Sequence, residues 1–133
     1  MWRVASGVQV ALLIAGAASA QEEAVKGVIG AQMEALSNGD FAGAYEMASP
    51  GIRGTFGPVE NFERMLRQGY PEVLDPRLFR FMGVEARGDR QAQVLLVEDR
   101  QGRSFLLEYL MIETPEGWKI DAVRRLPAAE PAV

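Results

Sequence analysis

Between Gln21 and about Asn38 the apolar positions are Val25, Val28, Ile29, Met33 and Leu36, the stripe of one helix face. Asn38-Gly39 reads as a helix stop, because glycine accepts the left-handed backbone beyond a last turn. Asp40 then suits the N-cap of a second helix carrying Phe41, Ala44, Tyr45 and Ala48 on one face. Ser49-Pro50 opens a short turn or helical stub through Ile52 and Phe56. Pro58 fits the first position of a third helix, which buries Val59, Phe62, Met65 and Leu66 and ends at Gly69. Tyr70 to Pro76 is a connection.

Beyond Arg77 the period falls from 3.6 to 2, predicting strands over about 78–87, 90–99, 103–113 and 117–125. Gly88-Asp89, Gln101-Gly102 and Thr114-Pro115-Glu116-Gly117 supply the turns. Two tight turns and one of four residues set 87 opposite 90, 100 opposite 103, and 113 opposite 118. One face then collects Phe79, Phe81, Gly83, Ala92, Val94, Leu96, Phe105, Leu107, Tyr109, Met111, Trp118, Ile120 and Ala122. That aromatic-rich face is expected to meet the helices. The other collects Arg80, Met82, Val84, Gln93, Leu95, Val97, Leu106, Glu108, Leu110, Ile112, Lys119, Asp121 and Val123. Two readings fit it: a solvated face with scattered aliphatics, or the interface of a homodimer packed sheet to sheet. The expected class is α+β, three N-terminal helices on one face of a curved four-stranded antiparallel sheet.

The first twenty residues have the form of a secretory signal. Arg3 is a short positive region, Val8–Ala15 an apolar run, and Ala18-Ser19-Ala20 a small-x-small cleavage pattern. The expected organisation is a signal peptide over 1–20, one domain over 21–126, and a disordered tail over 127–133. Cleavage after Ala20 implies a periplasmic or secreted protein, and no cysteine is present near the cut to carry a lipid anchor.

Composition narrows the chemistry. Fourteen basic against eighteen acidic side chains give a net charge of −4, unlike a nucleic-acid binder. With no histidine and no cysteine, disulfides, thiol nucleophiles and histidine triads are excluded, and no metal or cofactor is expected. Segment 98–102 departs from the calcium-loop spacing. Glu108 and Asp121 fall on the outer face beside Arg80, Lys119 and Arg124, which reads as a surface ion-pair cluster. Gln32 lies beside the inward stripe of the first helix, where it marks the edge of the buried arc or donates into a pocket.

Three helices followed by a curved sheet resemble the cone-shaped fold of nuclear transport factor two and ketosteroid isomerase. More narrowly, AYEMASPGIRGTFGPVENFERMLRQGY (44–70), VEDRQGRSFLLEYLM (97–111) and GWKIDAVRRL (117–126) are similar to a bacterial family catalogued as domain of unknown function number 4864. The fold resemblance implies a pocket at the open end of the cone. Its candidate lining residues are Tyr45, Phe56, Phe62, Tyr70, Phe81, Tyr109 and Trp118, whose rings suit a small hydrophobic ligand. The expected function is non-catalytic binding of such a ligand or of a protein partner. The alternative is a lyase or isomerase resembling ketosteroid isomerase, which needs a carboxylate base inside the cone.

Overall fold

A computed structural model describes the backbone of residues 2–127 and the side chains of residue 16 and residues 18–127. The expected signal segment lies partly outside the described side chains, and residues 128–133 of the tail lie outside altogether. Helix α1 spans Trp2–Ser37, running through the expected cleavage point. Gly16, Ala18, Ser19, Ala20 and Gln21 are exposed, and packing begins at Val25. Val25, Ile29, Met33 and Leu36 form the buried stripe.

Three short helices follow: α2 (Phe41–Glu46), α3 (Pro50–Phe56) and α4 (Val59–Gly69). Asp40 caps α2 through a hydrogen bond from the Gly43 N–H at 2.9 Å. Ser49 caps α3, with Pro50 in its first turn where no amide is needed. The stub expected at 50–56 is therefore a fourth helix. It buries no residue completely. Pro58 stands one step earlier than expected, as the extended N-cap of α4. A 3₁₀ turn at Pro71–Val73 leads to the sheet.

The sheet is antiparallel, in the order β1 (Leu78–Arg87), β2 (Arg90–Glu98), β3 (Ser104–Thr114) and β4 (Gly117–Leu126). The first hairpin closes at Arg87↔Arg90 and the last pairs Glu113 with Trp118, as expected. The middle hairpin differs by one residue. Asp99, not Arg100, stands opposite Arg103, with the Asp99 N–H donating to the Arg103 carbonyl at 2.9 Å. Asp99 Oδ1 accepts from the amides of Gln101 and Arg103, each at 2.9 Å, and Gly102 takes φ 83°. This three-residue loop slips β2 by one position and inverts its faces. Leu95 and Val97 are fully buried in the core, whereas Val94 and Leu96 face outward, half-exposed. Ala92, though buried, also lies on the outer face opposite Leu110.

Two bulges reset the faces again, the first of them offsetting the slip of β2. Between Phe81 and Val84, β1 carries an extra residue, so Phe81 pairs with Leu95 and both Phe79 and Phe81 still pack on the core. On β4 the pairing shifts around Asp121, from Met111↔Ile120 to Leu110↔Ala122. Trp118 and Ile120 face inward as expected, but beyond the bulge Val123 and Arg125 turn inward, and Ala122 is exposed. The free edge of β4 is covered by Met47–Ser49. The Ser49 amide donates to the Ile120 carbonyl and the Ile120 amide to Met47, both at 2.8 Å.

Glu108 lies on the outer face but is largely buried by arginines. Arg87 grips both its oxygens at 3.0 and 2.8 Å, and Arg124 Nε donates at 2.9 Å. Asp121 pairs with Arg90 at 3.2 Å and accepts from Ser49 Oγ at 2.7 Å. The outer carboxylates are thus neutralised, by Arg87 and Arg90 as well as the expected Arg124.

Two outcomes follow from this packing. In urea titrations Leu95→Ala lowers stability by about 2–5 kcal/mol, and Leu96→Ala by no more than about 1.5 kcal/mol. The reverse order would restore the 100–103 pairing. The Arg124 hydrogen bond, helped by Arg87 and opposed by burial, holds the Glu108 carboxyl below the ordinary glutamate value of 4.5. Its stabilising effect is fully present above that value and is lost as pH falls through the depressed one. Glu108→Gln therefore flattens the stability–pH curve below about 4.5 in acid denaturation, and an unchanged slope would count against the pairing.

Candidate ligand-binding site

Between the helices and the inner face of the sheet lies a cavity of about 300 Å³. Gln32 of α1 and Tyr109 and Ile120 of the sheet form its inner wall. Ile52 and Phe56 of α3 and Phe62, Met65 and Leu66 of α4 form one side. Tyr70, Val73 and Val123 close another, and the exposed Ala122 marks its rim.

Of the seven ring residues expected to line a pocket, Phe56, Phe62, Tyr70 and Tyr109 do so. Tyr45, Phe81 and Trp118 do not. Tyr45 stacks on Phe62 at 4.5 Å between centroids, behind the wall. Its hydroxyl bridges the carbonyls of Arg53 and Gly57 at 3.1 and 2.9 Å, fixing the end of α3. Phe81 packs edge-on against Phe79 at 5.8 Å, with the Lys26 ammonium 5.9 Å from its ring. Trp118 is a core residue. Each was placed on the correct face. Facing the helices is not the same as facing the void, and the difference depends on which helix side chains fill the space opposite.

Gln32 is only 6% exposed and belongs to the cavity wall, not the edge of a solvated face. Its Nε2 donates to the Ala44 carbonyl at 3.2 Å, and its Oε1 accepts from no described residue. Among the described residues the Tyr109 hydroxyl meets only Met33 Sδ, at 3.9 Å. Burial, with smaller contributions from Glu72 and Tyr70, raises the Tyr109 pKa far above the ordinary phenol range, so the hydroxyl keeps its proton. The Tyr70 hydroxyl is spent on the Val123 carbonyl at 3.0 Å.

One pair went unforeseen. Glu72 is 4% exposed, and Arg125 binds both of its oxygens at 2.6 and 2.7 Å. The guanidinium also donates to the Gly69 carbonyl and lies 4.7 Å from the Tyr70 ring centroid and 5.7 Å from that of Phe105. The only signal in the chain was a glutamate in a connection flanked by Tyr70 and Val73. Its partner became visible only through the bulge that turns Arg125 inward. Glu72 does not line the cavity, and among the described residues no aspartate or glutamate does. Among the described residues no cluster of three or more carboxylates is arranged to hold a metal ion. Asp99, in the segment weighed for calcium, spends its oxygens on its own turn and on Arg103 Nε at 2.8 Å.

Comparison with solved structures finds a likeness to an NTF-2 like protein of unknown function from Burkholderia xenovorans LB400. The TM-score is 0.50 at 18% identity, covering 84% of this chain and 91% of that one. The likeness supports the fold: α+β, with helices against one curved antiparallel sheet. Comparison with curated proteins finds no match. The family described as "Domain of unknown function (DUF4864)" matches residues 18–133, which includes every described residue that lines the cavity. The chain therefore belongs to the DUF4864 family, on an NTF2-like fold.

Proposed function

We propose that the protein is an exported binding module that holds a small hydrophobic ligand in this cavity without transforming it. The observation that carries the reading is the chemistry of the lining. Aromatic and aliphatic side chains dominate, and the polar members are an amide and two phenols. Such a surface binds by apolar burial, with a few polar groups to orient the guest. An isomerase of the ketosteroid type needs a carboxylate base against the substrate. The nearest buried acid identified, Glu72, is held by Arg125, with both oxygens occupied.

Export is supported by the small-x-small pattern at Ala18–Ala20 and by exposure of the helix on both sides of Ala20. A cut there removes no packed side chain among the described residues, since the core begins at Val25. The outer sheet face supports docking of a second copy. Leu96 and Leu106 stand opposite each other, as do Leu106 and Leu126, with Val94, Leu110 and Ile112 nearby. Leu78 and Met82 are 46% and 44% exposed.

Naphthalene is a suitable probe for the cavity. In titrations followed by methionine-methyl NMR it should shift the Met65 signal saturably. Met65→Trp, which fills the space with indole, should abolish binding while the melting temperature stays within a few degrees. Wild-type protein that ignores naphthalene would end the ligand reading. For the mature form, intact mass of the periplasmic or secreted fraction should place Gln21 at the N-terminus. Sedimentation equilibrium of that material should give twice the chain mass, falling to one with Leu106→Glu. An uncleaved chain would contradict export, and a wild-type monomer would contradict the dimer.

A further inference from the structure

Hydrogen-bonding capacity left over inside the cavity says more about its guest. This argument rests on the cavity being a ligand site. Three of the described lining residues carry a polar side-chain group, and one of these groups is engaged: the Tyr70 hydroxyl, which donates to the Val123 carbonyl. Gln32 is half engaged. Its amide donor holds Ala44, and its Oε1 receives nothing from the described residues. The Nε2 and Oε1 roles cannot be exchanged here, because the Ala44 carbonyl requires a donor. Tyr109 is nominally engaged, but its acceptor is a thioether sulfur at 3.9 Å, a weak partner for a phenol. Both residues are more than nine-tenths buried, at 6% and 1% exposure.

An unspent strong acceptor on Gln32 and an underused strong donor on Tyr109 thus belong to two residues that line one cavity, open at the Ala122 rim. A cavity of about 300 Å³ is about 8 Å across, so one small molecule can touch both. Among the described residues the lining holds no lysine or arginine, and the nearby Arg125 is already committed to Glu72 and the Gly69 carbonyl. An anionic head would lose its hydration with no cation to replace it. A hydroxyl suits the pair, since it donates through its proton and accepts through its lone pairs. Size follows from volume: an apolar cavity of about 150 Å³ holds one benzene, so this one holds about two fused rings.

We propose that the cavity selects a neutral, mostly apolar alcohol or phenol of about two-ring size, its hydroxyl donating to Gln32 Oε1 and accepting from the Tyr109 hydroxyl. The Tyr109 proton then leaves the Met33 sulfur for the ligand oxygen. Because burial keeps Tyr109 protonated, it remains a donor throughout the neutral pH range.

The test compares naphthalene, 2-naphthol and 2-naphthoate at pH 7 by calorimetry, with the full mature protein. Two added hydrogen bonds between neutral groups should make 2-naphthol bind about five- to tenfold more tightly than naphthalene. 2-Naphthoate should bind more weakly than naphthalene. In Tyr109→Phe, and separately in Gln32→Met, the ratio of naphthol to naphthalene affinity should fall toward one. The Met33 methyl signal should respond to 2-naphthol more than to naphthalene. Equal affinities for naphthol and naphthalene in the wild type, or tightest binding of the naphthoate, would overturn the assignment of the hydroxyl while leaving the apolar site standing. Failure of all three probes would remove the site itself, and this proposal with it.

Discussion

Strict alternation of side chains across a strand is the constraint on which this molecule turns, and it is reset at a bulge. Beyond Asp121 on β4, one extra residue brings Val123 and Arg125 to the helix side. Without it, Arg125 would join Arg124's neighbours on the outer face and Glu72 would be a buried carboxylate with no partner. Such an orphan costs several kcal/mol, more than most single side chains contribute. With it, Glu72 and Arg125 meet in a two-pronged pair, and the guanidinium is covered by Tyr70 and Phe105. The pair holds the 3₁₀ turn Pro71–Val73 against β4, and this places Tyr70 and Val73 in the cavity wall.

The same logic governs the opposite edge of the sheet. The Asp99 loop slips β2, so Leu95 and Val97 pack inward, and the β1 bulge then lets Phe79 and Phe81 face the core. A single slip left unrepaired would have sent both phenylalanines into solvent. Gln93 marks the repair. Its side-chain amide donates to the carbonyls of Met82 and Gly83, the residues displaced by the bulge, at 3.2 and 3.3 Å. A polar residue fully buried on an otherwise apolar face is thereby accounted for, although its Oε1 is left without a partner.

Much of this was legible along the chain, and the exceptions share a cause. Asp40, the helix-stopping Gly39 at φ 72° and the two-residue turn at Gly88-Asp89 act locally, so their roles can be read from neighbouring residues alone. Tyr109 and Trp118 turn toward the helices as the alternation required. Asp99 was missed because Gln101-Gly102 resembles a two-residue turn, and only the aspartate's own hydrogen bonds distinguish the longer loop. Bulges have no reliable local signature; they are forced by the register of the next strand. The site divides in the same way. Phe62 follows from helix periodicity and Tyr109 from strand alternation. Tyr45 and Trp118 carry the same two signals yet are covered by other side chains, a matter of tertiary packing. Glu72 and Arg125, more than fifty residues apart, left no joint trace.

Why the interior is unfilled at this point follows from α3. Its sequence, PGIRGTF, includes two glycines, and only Ile52 and Phe56 reach the cavity from it. Ala48 and Ala122 add no more than methyl groups to the lining. Sealed and dry, a void of about 300 Å³ would cost about 7 kcal/mol at the usual penalty per unit volume, comparable to the whole stability of a small domain. The exposed rim at Ala122 admits water instead. Water there meets mostly hydrocarbon and ring faces, with Gln32 and Tyr109 offering fewer partners than an ordered molecule normally takes. An apolar guest releases that water and covers the walls, and its binding adds directly to the stability of the folded chain. On the proposed reading, occupancy by such a guest rather than imperfect packing accounts for the void.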